Sequence, residues 1–263
     1  NCNFIYRFSF YRNKRPFMKK ILFALVLLVS VGLKAQKSGL IYDDHAQKRN
    51  VTGFNAVRVS HAIDLYLTQS NANEVAVSAS SEEYRDRIIT EVVGGTLIIR
   101  MAEDNGWFSW KKWGDSKAKA YVSIKEINAL TASGASNVHV VGALESSKLK
   151  IKMSGASDLK GATIDAGMLL IDLSGASNCK GQIKANSVIV DCSGASDIEL
   201  TGTTDDLAVE VSGASNAKLY NLVAKGANVH SSGASDAKVY VTHLLKAHAS
   251  GASSIDYKGN PNV

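Results

Sequence analysis

From about Leu130 onward the chain repeats one alternation of apolar and polar positions, and each copy can be aligned on a glycine: Gly134, Gly155, Gly175, Gly194, Gly213, Gly233 and Gly251. Four residues before these glycines stand Leu130, Ile151, Ile171, Val190, Val209, Val229 and Ala247. Two before them stand Ala132, Met153, Leu173, Cys192, Val211, Ser231 and Ala249. The place between reads Thr131, Lys152, Asp172, Asp191, Glu210, His230 and His248. Apolar, polar, apolar is the pattern of a strand with one buried face. Past the glycine the alternation resumes. Val138, Leu159, Cys179, Ile198, Ala217, Ala237 and Ile255 are predicted to point inward, followed by a mostly charged outward column running from His139 through Lys160 and Lys180 to Asp256.

Around each glycine the text is Ser-Gly-Ala-Ser followed by Asp, Asn or Ser, and successive glycines are 21, 20, 19, 19, 20 and 18 residues apart. A period near twenty is that of a solenoid, in which each turn buries its apolar face against the turns above and below. Glycine at a sharp bend between two strands supplies the positive φ that other residues avoid. The predicted fold is therefore all-β: a right-handed parallel β-helix of about 20 residues per coil, with three short strands per coil and Ser-Gly-Ala-Ser corners stacked along the axis. Stacked corners predict serine hydroxyl ladders. The last corner position alternates as Asn137, Asp158, Asn178, Asp197, Asn216, Asp236 and Ser254, which interleaves amides with carboxylates and avoids like charges on neighbouring strands.

Before the regular copies, Ser60-His61-Ala62-Ile63-Asp64 reads as a degenerate corner with His61 in the glycine place, so the bend there is expected to differ or to be strained. Glu74 to Ser78, Thr96 to Met101 and Ala118 to Ile124 read as strands, Glu82 to Ile89 as a short helix, and Gly94-Gly95 as a turn. Residues 37–130 are expected to be irregular coils of the same solenoid with an aromatic excursion at 105–114, and residues 131–263 the regular array.

Composition changes this picture at the N-terminus. The chain carries 30 Lys and Arg against 24 Asp and Glu, but residues 1–35 hold seven basic residues and no acid, leaving 23 basic against 24 acidic residues for the rest. A nucleic-acid partner thereby loses its support. Met18-Lys19-Lys20, the apolar run Ile21 to Leu33 and the small Ala35 read as a signal peptide over 18–35, with 1–17 upstream of the true start. The apolar run is too short to span a bilayer. The expected location is exported: periplasm, outer-membrane surface or extracellular. Cys179 and Cys192 fall in inward columns on opposite sides of the corner, an awkward span for a disulfide, so buried free thiols are expected.

Gly53-Phe54-Asn55-Ala56-Val57, Ala62-Ile63-Asp64-Leu65-Tyr66-Leu67-Thr68-Gln69, the Gly95-Thr96-Leu97 turn and the repeated corner together resemble the putative auto-transporter adhesin, head GIN domain family, over roughly residues 50 to 260. The resemblance implies an exported protein of a kind common in the Bacteroidetes, with a right-handed β-helix, and it brings no catalytic residues.

Two groups stand out as candidate sites. Trp107, Phe108, Trp110 and Trp113 lie together between Gly106 and Gly114; they form either a tip that stacks on sugar rings or a partner, or a hairpin folded down over the solenoid. The outward column Asp172, Asp191, Glu210, His230 and His248 stacks three carboxylates and two imidazoles at strand spacing. Such a column offers ligands to a divalent cation, or it is an ordinary charged face. No cofactor is expected, and the chain lacks the HExxH, GxSxG, P-loop and dinucleotide fingerprints. The function read from these features is a non-catalytic binding or adhesin-like module. Its expected partners are glycans or cell-envelope polymers, with homo-oligomers through solenoid ends or flat faces. The alternatives are a polysaccharide-active enzyme and a purely structural envelope protein.

Overall fold

The computed structural model describes residues 43, 45–103 and 116–263; the expected signal peptide and the aromatic excursion with Trp107, Phe108, Trp110 and Trp113 lie outside these. The first part of the fold comprises β1 Gln47–Arg49, β2 Ala56–Val59, β3 Ile63–Gln69, β4 Glu74–Ala79, the helical turn α1 Glu82–Arg85, β5 Ile88–Val93, β6 Thr96–Met101 and β7 Ala118–Ile124. The regular part comprises β8 Ala129–Ala132, β9 Asn137–Val140, β10 Ala143–Met153, β11 Asp158–Leu173, β12 Asn178–Cys192, β13 Asp197–Val211, β14 Asn216–Ser231, β15 Asp236–Ala249 and β16 Ser254–Lys258.

The coils stack in parallel and in register, with Ile151 beside Ile171, Ile171 beside Val190, Val190 beside Val209 and Val209 beside Val229. The inward columns predicted from the alternation are the core: Leu159, Ile171, Leu173, Val190, Cys192, Val209 and Val211 are all buried. The last copy departs from this, with Ala247 and Ala249 exposed and Ile255 half-buried, since β16 pairs only with Asp236–Tyr240 and leaves the end of β15 uncovered on that side. Where three short strands per coil are expected, each regular coil instead carries one hydrogen-bonded strand of 14 to 16 residues from corner to corner. Within it the side-chain phase slips twice. In β11 the buried positions run Leu159, then Ala162, Ile164 and Ala166, then Leu169, Ile171 and Leu173. Each slip turns the chain through a corner at a local irregularity of the ladder, a register shift between Leu159 and Ala162 and a skipped pair at Gly167, so the coil has three faces although the strand is not cut into three.

The irregular part is the same solenoid, threaded out of sequence order. β2 lies between β6 and β8, and β3 lies between β7 and β9. The coil made by β6 and β7 is thus stacked outside the one made by β2 and β3, although it comes later in the chain. Antiparallel strands close this end: β5 pairs with β6 through the Gly94-Gly95 turn, β4 pairs with β7, and β1 pairs with β4. Helix α1 is only one turn, capped by the Ser81 hydroxyl, because the buried Ile88 is drawn into pairing with Met101. At the other end of the stack the chain after β16 keeps its parallel course along β15, and Asn262 exchanges backbone hydrogen bonds with His243 and Leu245.

The degenerate corner is strained as its sequence predicts. His61 and Ala62 have φ of 64° and 57°, and they are the non-glycine residues at positive φ among the described residues. Ser60 Oγ lies 2.8 Å from His61 Nδ1, a local contact that compensates part of a cost of about 1–2 kcal/mol per residue.

Candidate functional site

The repeated corner is a structural device built on backbone. The amide of Ala176 donates to the carbonyl of Gly155 at 2.7 Å, and Ala195 and Ala214 donate in the same way to Gly175 and Gly194. The glycine carbonyl of one coil therefore sits directly against the corner of the next. The second serine is buried and closes its own turn: Ser157, Ser177, Ser196 and Ser235 each donate to the carbonyl three residues back, at 2.7–2.9 Å. The hydroxyl ladders expected from the sequence are thus replaced by hydroxyl-to-carbonyl bonds, since a carbonyl oxygen within the same turn is nearer than the next hydroxyl one rung away. Ala156 is exposed beside its glycine.

The amide and carboxylate column behaves as its alternation predicts. Asn137, Asn178 and Asn216 each donate from Nδ2 to the Oδ1 of the carboxylate one coil before them, Asp64, Asp158 and Asp197, at 2.8 Å, and the Ser254 hydroxyl donates to Asp236 at 2.6 Å. Burial alone would raise the pKa of Asp158. The Asn178 amide and Lys160, 3.0 Å away, outweigh it and hold the carboxyl below its ordinary value of 3.8. With the folded value depressed, the stabilisation from Asp158 is complete above 3.8 and is lost as pH falls through the folded value. Asn178→Asp replaces one of these bonds with three carboxylates on successive rungs, and is expected to cost about 1–3 kcal/mol. Thermal melting at pH 7 is expected to show a fall of several degrees, with the deficit shrinking in acid as the added carboxylate takes up a proton. An unchanged melting temperature would refute the role of the column.

The column from Asp172 to His248 is assembled on one outer face, each residue beside the next in register. Lys152 occupies the preceding rung and lies 2.8 Å from Asp172. Burial, then the neighbouring Glu210 and Asp172, raise the pKa of Asp191 above its ordinary value. The His230 and His248 rings are tilted, with centroids 5.8 Å apart. The five side chains follow a straight line rather than surrounding a point. Among the described residues no group of three or more His, Cys, Asp or Glu is gathered closely enough to hold a metal ion. Cys179 and Cys192 are free and buried, and burial pushes each thiol up to about 12, which keeps them protonated and unreactive.

The sequence did not single out the third corner, where the second phase slip falls. There the inward positions Ser146, Ala166, Ala185 and Thr204 occupy successive rungs and are all small. The surface sinks above them. One groove of about 420 Å³ is lined by Asp165, Lys184, Asn186, Thr203, Asp205 and Lys225, with Ala166, Ala185 and Thr204 as its floor. A second, of about 450 Å³, lies one rung earlier on the same columns, among Asn55, Glu126, Asn128, Glu145, Ser147 and Lys148. A column of small residues at one register position was the signal available in the sequence. It was masked because the coil lengths differ and the alignment on glycine drifts by this point of the turn.

No helix among the described residues is long and apolar enough to cross a membrane. No curated protein matches the chain. Solved structures share its fold. A putative lipid binding protein from Parabacteroides distasonis has a TM-score of 0.74 at 22% identity over 82% of this chain and 90% of its own. A putative adhesin from the same species has a TM-score of 0.71 at 19% identity over 82% and 93%. A putative adhesin from Parabacteroides merdae has a TM-score of 0.69 at 18% identity over 82% and 94%. The sequence profile of one family matches residues 53–261, nearly the whole solenoid. With its corners, its stacked coils and that match taken together, the chain belongs to the family described as putative auto-transporter adhesin, head GIN domain.

Proposed function

We propose that the chain is an exported, non-catalytic binding module of the cell envelope or surface that holds extended polymers along its flanks. The observation that carries this reading is the in-register repetition of outward side chains over successive regular coils. A ligand with its own linear repeat meets outward polar side chains at every rung, spaced by about 4.8 Å, so weak contacts sum along its length. A solenoid presents such elongated surfaces as a consequence of its architecture. The shaft itself is filled by buried Leu, Ile and Val, which favours binding on the outside over the enclosure of a lipid chain. Trp107, Phe108, Trp110 and Trp113, which fall between β6 and β7 in the sequence, are proposed as a second contact.

The test is a glycan and envelope-polymer array probed with the full chain, followed by reducing-sugar release from any polymer bound. Binding without release is expected. Release of sugar would replace this reading with an enzyme, and a blank array would leave a structural envelope protein. Because all three tryptophans lie between residues 107 and 113, a fluorescence shift on adding a bound glycan reports on that stretch alone.

A further inference from the structure

The two grooves at the third corner lie on shared columns and adjoin where Glu145 stands beside Asp165. They form one track along the axis, spanning the rungs of Ser146, Ala166, Ala185 and Thr204 and the Val223–Lys225 rung above. At about 4.8 Å per rung the track is roughly 20 Å long. Its floor is small because Ala166 and Ala185 carry only methyl groups and the Thr204 hydroxyl is turned onto the carbonyls of Asn186 and Asp206. Gly167 keeps the corner narrow between them, since a Cβ there would lie 2.5 Å from the Ser147 carbonyl oxygen.

The chemistry of the walls selects the ligand. Asp165 and Asp205 are matched by Lys184 and Lys225, with the pairs closed at 3.3 and 2.7 Å. In the adjoining groove Glu126 and Glu145 are matched by Lys148 and Lys150. The track is therefore dense in hydrogen-bond donors and acceptors yet carries no net charge. A polyanion such as nucleic acid or a sulfated chain gains little there, because it needs an excess of cations. A lipid chain finds few apolar walls beyond Ile127 and Val223. An extended peptide gains no strand pairing, because the backbone on both sides is already spent on the ladder between coils.

We infer that this track binds a neutral linear glycan, with about one pyranose per coil: the apolar faces of the rings lie on the Ala166–Ala185 floor, and the hydroxyl rims bond to Thr203, Asn186 and the wall ion pairs. The rung spacing is close to the length of one pyranose unit, so each ring faces one rung, with wall side chains that change along the column from Asp165 to Lys184 to Thr203. This inference rests on the reading of the protein as a polymer binder and names where the polymer lies and what class it is.

The experiment is calorimetric titration of the full chain with cellohexaose, laminarihexaose, mannohexaose and xylohexaose, and with the acidic oligomers of alginate and polygalacturonate as probes. Asn186→Tyr and Thr203→Tyr place a ring in the track from exposed wall positions, and Val93→Tyr adds the same ring on the outer edge of β5, where Val93 is 58% exposed. Binding of at least one neutral hexamer is expected, insensitive to sodium chloride between 50 and 500 mM, weakened at least tenfold by either track variant and unchanged by Val93→Tyr. Circular dichroism melts of the variants establish that the fold is kept. Neutral binding that survives both track variants overturns the placement and leaves the binding reading standing. Binding confined to the acidic oligomers overturns the ligand class. Absence of binding to every probe overturns the inference, while the polymer array tests the broader reading separately.

Discussion

Gly175→Ala is expected to lower the melting temperature by roughly ten degrees, and Gly142→Ala by much less. Both glycines have positive φ, 74° and 87°, so both alanines incur the left-handed cost of about 1–2 kcal/mol. Only one of them meets a neighbour. A Cβ on Gly175 would stand 2.5 Å from the Gly155 carbonyl oxygen, the acceptor of the Ala176 amide, whereas a Cβ on Gly142 meets nothing within 4 Å. To relieve the contact the two coils must part at the corner, which weakens that hydrogen bond and its neighbours. The added overpacking is about 1–3 kcal/mol, for a total of about 2–5 kcal/mol. Each kilocalorie moves the midpoint of a protein of this size by roughly 2–4 °C. Thermal melts by circular dichroism of the two variants beside the parent chain check this. Equal shifts would mean that backbone conformation, not the stacking of corners, sets the glycine requirement.

The same contact explains why the corner was so legible. Its spacing, its inward columns and its paired Asn and Asp all follow from repetition, and repetition is visible without coordinates. Leu159, Ile171 and Leu173 are buried where the alternation put them, and Asn178 bonds to Asp158 as the interleaving of amide and carboxylate implied. What repetition could not convey is order. The β6–β7 coil follows β2 and β3 in the chain but stacks outside them, because pairing of Ile98 with Arg58 depends on contacts far apart in sequence. The strand count was also hidden: the phase slips between Leu159 and Ala162 and between Ala166 and Leu169 change the face with only local irregularities in the ladder, and the strand runs on through both. At the site level, the charged column from Asp172 to His248 was legible as a line and is a line, while the track over Ala166, Ala185 and Thr204 was not, since small residues announce nothing until the walls rise around them.

Leu173→Ala is expected to cost about 3–5 kcal/mol, toward the upper end for a buried leucine truncation. Leu173 is fully buried and stands in register between Met153 of the coil before and Cys192 of the coil after. In a helical protein the neighbours of a lost side chain can slide inward and recover part of the loss. Here the backbones of both neighbours are tied to β11 by the ladder, at a fixed distance of about 4.8 Å, so the cavity stays open and its lining loses its contacts. The damage also reaches along the axis, since each coil is held only by the interfaces on its two sides. Leu170→Ala makes the same chemical change three residues earlier, on a side chain that is only partly buried and stands in register with the exposed Ile189 on the outer face. It is expected to cost under about 1 kcal/mol. Urea unfolding followed by circular dichroism gives both values. Equal costs for the two leucines would contradict the inward and outward assignment on which the solenoid, its flanks and the binding surfaces proposed for them all depend.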